Sequence, residues 1–231
     1  MWREVRGFKI AVDRLIELYV NGRLAATLVA TPVELEELAL GYLYAEGYVS
    51  SLEDVVEISV EERAVKARIA AAPRAQSMAL EECGGVEAVA KRKLVEVSIT
   101  EERLRSLASE FGKLTMPSVE PSLAMHTSAL LNGEWTVAHD VSRHSSILKL
   151  VGKALKKGLR GGVVFTTGRA SSDIVARAAS IGASIVVSLR GPLYSGIEAA
   201  CKLGVTLVAN VRGKGFVALC NEQRIKASKI Q

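Results

Sequence analysis

Cysteine is scarce in this chain, and its three cysteines, Cys83, Cys201 and Cys220, are far apart. Spacing this wide is typical neither of the disulfide framework of a small secreted domain nor of a zinc ribbon. The charged first residues lack the apolar core of a signal peptide, and no apolar run is long enough to span a membrane. These absences predict a cytoplasmic protein with no membrane partner.

Aromatic residues are also few, at 5% of the chain, and the basic residues are interleaved with glutamates instead of forming a block. The net charge of +5 and the pI near 9.2 favour an anionic partner, either a phosphate-bearing ligand or a nucleic acid. An RNA-binding module usually has an aromatic-rich strand or a long basic run. Their absence from the sequence argues against nucleic acid.

The length of 231 residues and the 49% hydrophobic content allow a sizeable core, which we expect to be divided between two domains. A Pro- and Ser-rich stretch over 113–122 marks the boundary, near residue 115. The predicted first domain, 1–115, is a small α+β unit. Its predicted elements are a hairpin over 14–20 and 23–30 closed by Asn21-Gly22, a helix begun by a capping box at Thr31 and ended by Gly47, strands over 55–60, 64–70 and 94–98, and a helix capped by Thr100 that ends before Gly112.

The predicted second domain, 116–231, alternates between strand and helix, which is typical of an α/β sheet with parallel neighbours and flanking helices. Its predicted elements are a hairpin around Asn132-Gly133, a helix capped by Ser142 or Ser145, strands over 162–167, 183–188, 205–211 and 216–220, and helices over 172–181 and 196–203. Ligands in such sheets bind at the carboxyl ends of the strands, so the loops after the strands are the candidate site.

Three of these loops combine glycine with a cation. The residues that we predict to bind a ligand's phosphates are Gly168, Arg169 and Ser171 in one loop, and Asn210, Val211, Arg212, Gly213, Lys214 and Gly215 in another; the loop over 189–195 repeats the pattern. Glycines allow a close approach of the backbone, and the free N–H groups of a following helix hold anions. Taken singly, each loop is more often an ordinary turn than a phosphate site.

All three histidines fall in one stretch, 126–144, together with Asp140 and Arg143. His126, His139, Asp140 and His144 are compatible with a metal site, but their spacing matches no common metal motif, so we predict none. The other interpretation is a polar pocket at the junction between a strand and a helix.

Cys83 lies beside Gly84 and Gly85 in the weakly periodic stretch 71–93, which we predict to be a loop. Two interpretations of Cys83 remain open from the residues alone: an incidental loop cysteine, or an accessible sulfur nucleophile. Glu81 and Glu82 argue against a lowered thiol pKa unless basic groups approach from elsewhere.

The order of several short motifs resembles one family over nearly the whole chain. The segments AHDVSRHSSILKLVGKAL, PSLAMHTSAL, TTGRASSDIVARA and TPVELEELALGYLYAEG, with the Cys-Gly pair at Cys83, are similar to the formate dehydrogenase accessory sulfurtransferases, FdhD. The resemblance implies a sulfurtransferase that carries sulfur as a Cys83 persulfide. Val86 replaces the second cysteine of the family pattern, and His139 and Ser142 replace a glutamate and a glycine.

The resemblance further implies a cytidine-deaminase-like second domain and two protein partners, a cysteine desulfurase as sulfur donor and formate dehydrogenase as the final recipient. The acceptor of the sulfur would be the molybdenum (or tungsten) bis-guanine-dinucleotide cofactor. The phosphates and guanine would lie at the loops described above, and His126, Asp140, Arg143 and His144 would line the pocket. The His-x-Glu and Pro-Cys-x-x-Cys signature of zinc deaminases is absent from the sequence, so deaminase chemistry does not follow from the fold.

Two other functions remain as alternatives: a cofactor-binding chaperone without sulfur chemistry, and a deaminase-like enzyme that processes nucleotides. The mean hydropathy of +0.22 favours a homodimer that covers exposed apolar strands.

Overall fold

The computed structural model describes residues 1–70, 92–115, 124–212 and 215–227. The elements of the first half are β1 (Trp2–Val5), β2 (Phe8–Ala11), β3 (Arg14–Val20), β4 (Arg23–Ala30), α1 (Leu35–Ala45), a 3-10 turn (Leu52–Asp54), β5 (Val55–Val60), β6 (Ala64–Ile69), β7 (Ile99–Thr100) and α2 (Glu101–Leu114). Those of the second half are β8 (His126–Asn132), β9 (Glu134–Asp140), α3 (Arg143–Lys156), β10 (Val163–Thr166), α4 (Ser172–Ser180), β11 (Ile185–Ser188), α5 (Tyr194–Leu203), β12 (Thr206–Arg212), β13 (Gly215–Leu219), a 3-10 turn (Glu222–Arg224) and β14 (Ile225–Lys226).

The N-terminal strands form a four-stranded sheet in the order β4-β3-β6-β5. The predicted hairpin between β3 and β4 is confirmed, since Asn21 and Gly22 both have positive φ angles, 47° and 79°, as a type I′ turn requires. Apolar side chains alternate along β3, and its buried residues pack against α1. The strands predicted over 55–60 and 64–70 are confirmed as β5 and β6.

The second half is built on a six-stranded sheet in the order β13-β12-β11-β10-β8-β9. Only the pairs β10–β11 and β11–β12 are parallel; the predicted parallel sheet is therefore mixed, because hairpins form both of its edges. Helix α2 packs on one face through Phe111, which contacts Trp135 and Phe165. Helices α3 and α4 cover the other face, where Val164 and Val186 point. The sheet thus has helices on both faces, as predicted.

Helices α1 and α3 join the two halves, and they touch backbone to backbone at two glycines. A methyl group on Gly41 would lie 1.8 Å from the carbonyl oxygen of Leu148, and one on Gly152 would lie 2.0 Å from that of Glu37. Neither position can hold a side chain without moving a helix. The glutamates at the start of α1 form ion pairs with α3 beside this crossing. Lys156 is 2.9 Å from Glu37, and Lys153 is 2.7 Å from Glu34.

The predicted capping box at Thr31 does not form. Helix α1 begins at Leu35, and Glu34 precedes it in a left-handed conformation with φ of 53°. Thr31 is fully buried, and its hydroxyl accepts a hydrogen bond from the backbone N–H of Val141 instead of capping the helix. Contact with the second half therefore overrides the local helix-start pattern.

Three further predictions need correction. The strand predicted over 94–98 is reduced to one bridge between Val95 and Ala183, and α2 continues past Gly112 to Leu114. Cys201 and Cys220, which look unpaired in sequence, form a disulfide with Cα atoms 5.2 Å apart. The fold brings them together because the helix α5 and the end of β13 are neighbours across β12.

The predicted cysteine loop and its Cys83 lie almost entirely outside the described residues, as do Gly213, Lys214, the side chain of Arg212 and most of the Pro- and Ser-rich stretch. Within the described ranges, no helix is long and apolar enough to cross a membrane.

The glycine contact gives a direct test of how the two halves are held together. We expect Gly152→Ala to lower the free energy of unfolding by about 2 to 3 kcal/mol, because the new methyl group meets a backbone oxygen that cannot rotate away. Denaturant unfolding of the purified protein measures this change.

The matched control is Gly112→Ala in α2, where a methyl group meets nothing within 4 Å. There the substitution should stabilise the protein by about 0.5 to 1 kcal/mol, since alanine is the better helix former. Equal effects of the two substitutions would show that the helix crossing is not tightly packed.

Candidate functional site

The three glycine-containing loops meet at the carboxyl ends of the parallel strands. The hydroxyl of Ser188 donates a 2.7 Å hydrogen bond to the carbonyl of Gly168, which joins the loops after β10 and β11. The carbonyl of Arg190 accepts a 3.0 Å hydrogen bond from the backbone N–H of Asn210, which joins the loops after β11 and β12. The structure thus brings together the loops that the sequence predicts to form one rim, which we call the basic rim.

Three arginines at the basic rim have no acidic partner within the described part of the chain: Arg143, Arg169 and Arg190. Arg169 and Arg190 are exposed, whereas Nε of Arg143 is buried and makes no hydrogen bond to a residue that the structure describes. Arg143 lies against Gly168, where a methyl group would come within 2.9 Å of the arginine Cβ. A cluster of guanidinium groups without counter-charge is suited to an anionic ligand with several oxygens.

Behind the rim lies a buried ion-pair cluster, which we call the Asp173 cluster: Ser171, Asp173 and Arg177 from α4 and its cap, His144 from α3 and Glu46 from the end of α1. Nδ1 of His144 is 2.6 Å from Oδ2 of Asp173, although its N–H is not well aligned with that oxygen. Arg177 Nη1 is 3.0 Å from the same oxygen, and Ser171 donates a short hydrogen bond to Oδ1. Arg177 Nη2 then lies 3.6 Å from Glu46.

The Asp173 cluster holds its carboxylate in the charged form. Burial by itself would raise the pKa of Asp173, but the contact with His144, the positive charge of Arg177 and the Ser171 hydroxyl together lower it to about 2. Because α3 and α4 both begin here, the cluster fixes their first turns relative to each other.

His126 lies on the pocket side of β8, where its Nδ1 is 3.4 Å from the Thr167 hydroxyl. Burial lowers the pKa of His126, and the positive charges of Arg143, His144 and Arg190 lower it further. His126 is therefore a neutral imidazole at pH 7, among cations.

His139 and Asp140 lie on β9, opposite Thr127 and His126 of β8. Nδ1 of His139 is 2.9 Å from the hydroxyl of Thr127, and burial, followed by the charge of Lys153, lowers its pKa. Asp140 is fully buried, 2.5 Å from Nζ of Lys149, and it accepts a 3.1 Å hydrogen bond from the backbone N–H of Thr31. Burial raises the pKa of Asp140, while Lys149 and two backbone N–H groups oppose that shift. Asp140 thus supports the junction of β9 with α3 from inside the protein.

Sequence analysis did not identify Asp173 or Arg177 as site residues. Asp173 and Arg177 are four residues apart on a predicted helix, which is a recognisable ion-pair spacing. Their contact with His144 depends on the packing of α3 against α4, which no local pattern encodes.

No group of three or more His, Cys, Asp or Glu side chains is placed to bind a metal ion among the residues that the structure describes. A groove of about 820 Å³ lies on the outer face of the four-stranded sheet, but its cations Lys66 and Arg68 are paired with Glu61 and Glu57.

Comparison with known proteins identifies the family of this chain. The FdhD/NarQ family model matches residues 11–226, and the chain therefore belongs to the FdhD/NarQ family.

Its relatives align over nearly their full length. The chain is 29% identical to the "Sulfur carrier protein FdhD" of Methanothermobacter thermautotrophicus, over 97% of this chain and 99% of that protein. It is also 29% identical to the protein of the same name from Sulfolobus acidocaldarius, over 94% of this chain and 90% of that protein. A crystal structure from Desulfotalea psychrophila, described as that of a candidate formate dehydrogenase accessory protein, covers 95% of this chain with a TM-score of 0.81 and 24% identity, which establishes the shared fold.

The depressed pKa of Asp173 predicts how stability depends on acid. The pKa of this carboxyl group falls from its ordinary value of 3.8 to about 2 on folding, so the charged group stabilises the folded protein at pH values above 3.8. That contribution is lost as the pH falls towards 2. The shift corresponds to about 2 kcal/mol. We therefore expect the difference in unfolding free energy between the wild type and Asp173→Asn to shrink between pH 4 and pH 2.

Urea unfolding at several pH values measures this difference. Asp54→Asn, at the cap of the first 3-10 turn, is the control, since the Asp54 carboxylate accepts hydrogen bonds from two backbone N–H groups and has no ion-pair partner in the described part of the chain. A constant difference across the pH range would contradict the charged-cluster description.

Proposed function

We propose that this chain is a sulfur carrier of the formate dehydrogenase accessory type. It takes sulfur from a cysteine desulfurase as a persulfide on Cys83 and passes it to the molybdenum (or tungsten) bis-guanine-dinucleotide cofactor before that cofactor enters formate dehydrogenase. Membership of the FdhD/NarQ family and the names of the relatives support the carrier role. The observation that carries the acceptor assignment is the set of arginines without counter-charge at the basic rim.

The residues at the rim fit the acceptor, which is a substrate with several phosphates. The buried Nε of Arg143 has no partner among the described residues and is a donor in need of an acceptor, and Gly168 allows the Arg143 side chain to lie against the loop backbone. In this proposal the phosphates and guanine of the acceptor are bound by Gly168, Arg169, Ser171 and the loop Asn210, Val211, Arg212, Gly213, Lys214 and Gly215. We assign the lining of the pocket to His126, Arg143 and His144, with Asp140 supporting it from the interior.

The chain length allows Cys83 to reach the rim. Arg92 is anchored at the C-terminal end of α4, because its guanidinium donates hydrogen bonds to the carbonyls of Ser180 and Tyr44. The nine residues of α4 span about 13 Å, so the basic rim lies about that far from the anchor. Cys83 is nine positions before Arg92 in the sequence, which allows a reach of up to about 30 Å.

Loading of the carrier is a thiol exchange without net oxidation. The Cys83 thiolate attacks the terminal sulfur of a persulfide on the donor enzyme, the S–S bond of the donor breaks, and the donor cysteine leaves as a thiolate. The cations of the basic rim would stabilise a thiolate or persulfide anion on Cys83 when it approaches. We place this exchange in the cytoplasm and propose that the chain acts as a homodimer.

Sulfur loading is the first test of the carrier role. After incubation with a cysteine desulfurase and cysteine, mass spectrometry of peptides should find an added 32 Da on Cys83 (one sulfur atom), sensitive to reductant. No adduct, or an equal adduct on Cys83→Ala, would exclude Cys83 as the carrier.

Rescue in cells distinguishes the carrier from a cofactor-binding chaperone. Cys83→Ser, expressed in cells that lack their own accessory protein, should fail to restore formate dehydrogenase activity. Restored activity would mean that this chain delivers the cofactor without carrying its sulfur.

Nucleotide binding tests the basic rim separately, with GDP as the probe for the guanine diphosphate end of the acceptor. Arg143→Gln should weaken GDP binding about tenfold or more, because a charge-assisted contact to phosphate is lost. Isothermal titration calorimetry at low and moderate salt measures the effect.

Arg103→Gln on α2 is the matched control, because Arg103 is paired with Glu110 on the opposite face of the sheet. Its affinity for GDP should equal that of the wild type. Equal weakening by both substitutions would indicate binding through overall charge alone.

A further inference from the structure

The strands β1 and β2 form a hairpin of their own, which we call the N-terminal ribbon. Its turn is made by Arg6 and Gly7, both with positive φ, and no other strand of the described chain pairs with it. Seven of its eight strand residues are exposed. A two-stranded hairpin without a surface to pack on is only marginally stable in water. The ribbon is therefore suited to contact another surface.

One face of the N-terminal ribbon is apolar. Val5 and Phe8 are direct partners across the ribbon, and Ile10 shares the face of Phe8, since alternate residues of a strand point the same way. These three side chains are 53%, 62% and 42% exposed. The other face is covered in part by its own side chains, where Nζ of Lys9 lies 5.4 Å from the centre of the Trp2 ring. The apolar face is thus left open in the protomer.

A second apolar surface lies on the outer face of the four-stranded sheet, and we call it the β3–β4 patch. Leu15 of β3 is the direct partner of Val29 on β4, and Leu24 lies further along β4 on the same face. Ile16, next to Leu15, is buried against α1, so Leu15 points away from the core. Leu15, Leu24 and Val29 are 62%, 50% and 40% exposed.

The ribbon does not cover the β3–β4 patch of its own chain. Val12 and Asp13 alone join β2 to β3, and the backbone N–H of Val12 is held by the carbonyl of Met1 at 3.0 Å. Two stacked sheets lie about 10 Å apart. A link of two residues reaches about that far only when it is fully extended, which leaves no length for a reversal of direction.

We propose that the apolar face of the N-terminal ribbon packs on the β3–β4 patch of a second copy of this chain, which returns its own ribbon in the same way. The inference rests on the proposed function, because it gives a surface to the homodimer proposed there. A two-fold axis makes the two contacts identical, so the dimer is closed and both surfaces of both copies are covered.

The occupant is a second copy because one chain carries both halves of the contact. The six large apolar residues of the two surfaces each expose on the order of 100 Å², so two contacts would remove about 1,000 Å² from water, near the lower limit for a specific interface. The charges are also complementary. Arg3 shares the apolar face of the ribbon with its partner Ile10, whereas Glu17 follows Leu15 on the outer face of the sheet.

The oligomeric state of the full-length protein tests the inference. Sedimentation velocity over a concentration series should find a dimer for the wild type. Phe8→Lys and Leu15→Glu each bury a charge at both contacts of the symmetric dimer. We expect a loss of about tenfold for each contact, so either substitution should raise the dimer dissociation constant about 100-fold. Both side chains are exposed in the protomer, and an unchanged circular-dichroism spectrum should show that the fold is kept.

A mixture of the two variants distinguishes a reciprocal exchange from any other interface. In a mixed dimer, one contact brings the introduced lysine to the introduced glutamate, and the other keeps the original phenylalanine and leucine. Native mass spectrometry should therefore find the mixed dimer at concentrations where Phe8→Lys and Leu15→Glu are each monomeric alone.

Val60→Glu is the matched control. Val60 is 50% exposed at the end of β5, outside both the ribbon and the β3–β4 patch. Its substitution also replaces an exposed apolar side chain on a strand by a carboxylate. The dissociation constant of Val60→Glu should equal that of the wild type.

Three results would overturn the inference alone: dimers of Phe8→Lys and Leu15→Glu as stable as the wild type, a mixture in which no mixed dimer forms, or equal weakening by Val60→Glu. A wild type that is monomeric throughout the concentration series would overturn the proposed homodimer together with the inference. Failure of sulfur loading on Cys83 would contradict the carrier role and leave the dissociation constants unaffected.

Discussion

The crossing of α1 over α3 is the contact on which the rest of the structure depends. The N-terminal sheet reaches the second half through α1, and α1 reaches α3 at Gly41 and Gly152, where two backbones touch. Helix α3 in turn covers the six-stranded sheet and supplies Arg143 and His144 from its first turn. Any shift of α1 therefore moves the helix that carries the pocket residues. The buried pair of Asp140 and Lys149, tied to the backbone of Thr31, lies beside this crossing and resists the same movement.

The candidate site combines exposed cations at the edge with a neutralised cluster behind them. Arg169 and Arg190 face solvent without an acidic partner in the described chain, whereas Arg177 is paired with both Asp173 and Glu46. This division follows from the cost of burying charge: a cation inside the protein needs a carboxylate, but one at the edge can be left for a ligand. The link from Glu46 through Arg177 to Asp173 and His144 also connects the end of α1 to the pocket.

The sequence predicted turns and helix ends correctly where a few neighbouring residues determine them. The turn at Asn21-Gly22, the Thr100 and Ser142 caps and the stop at Gly47 depend on a few neighbouring residues, and each is confirmed. Predictions were wrong where a distant residue competes for the same group: Thr31 binds Val141 and Asp140 and leaves its helix uncapped. Loops that follow parallel strands lie at the same edge of a sheet, and this rule predicted that the three loops meet. The rule did not predict the Asp173 cluster, because the members of that cluster come from three helices. The predicted domain boundary and the deaminase-like fold of the second half stay predictions.

The disulfide between Cys201 and Cys220 has a consequence for how much sulfur one molecule holds. With both of those sulfur atoms bonded to each other, Cys83 is the remaining cysteine of the sequence. If Cys83 carries sulfur as proposed, each polypeptide would be charged with a single sulfur atom per cycle, and a site that needs two atoms would require two visits or two subunits. The covalent state of a cysteine pair in the second half of the chain would then set the ratio of carrier to cofactor.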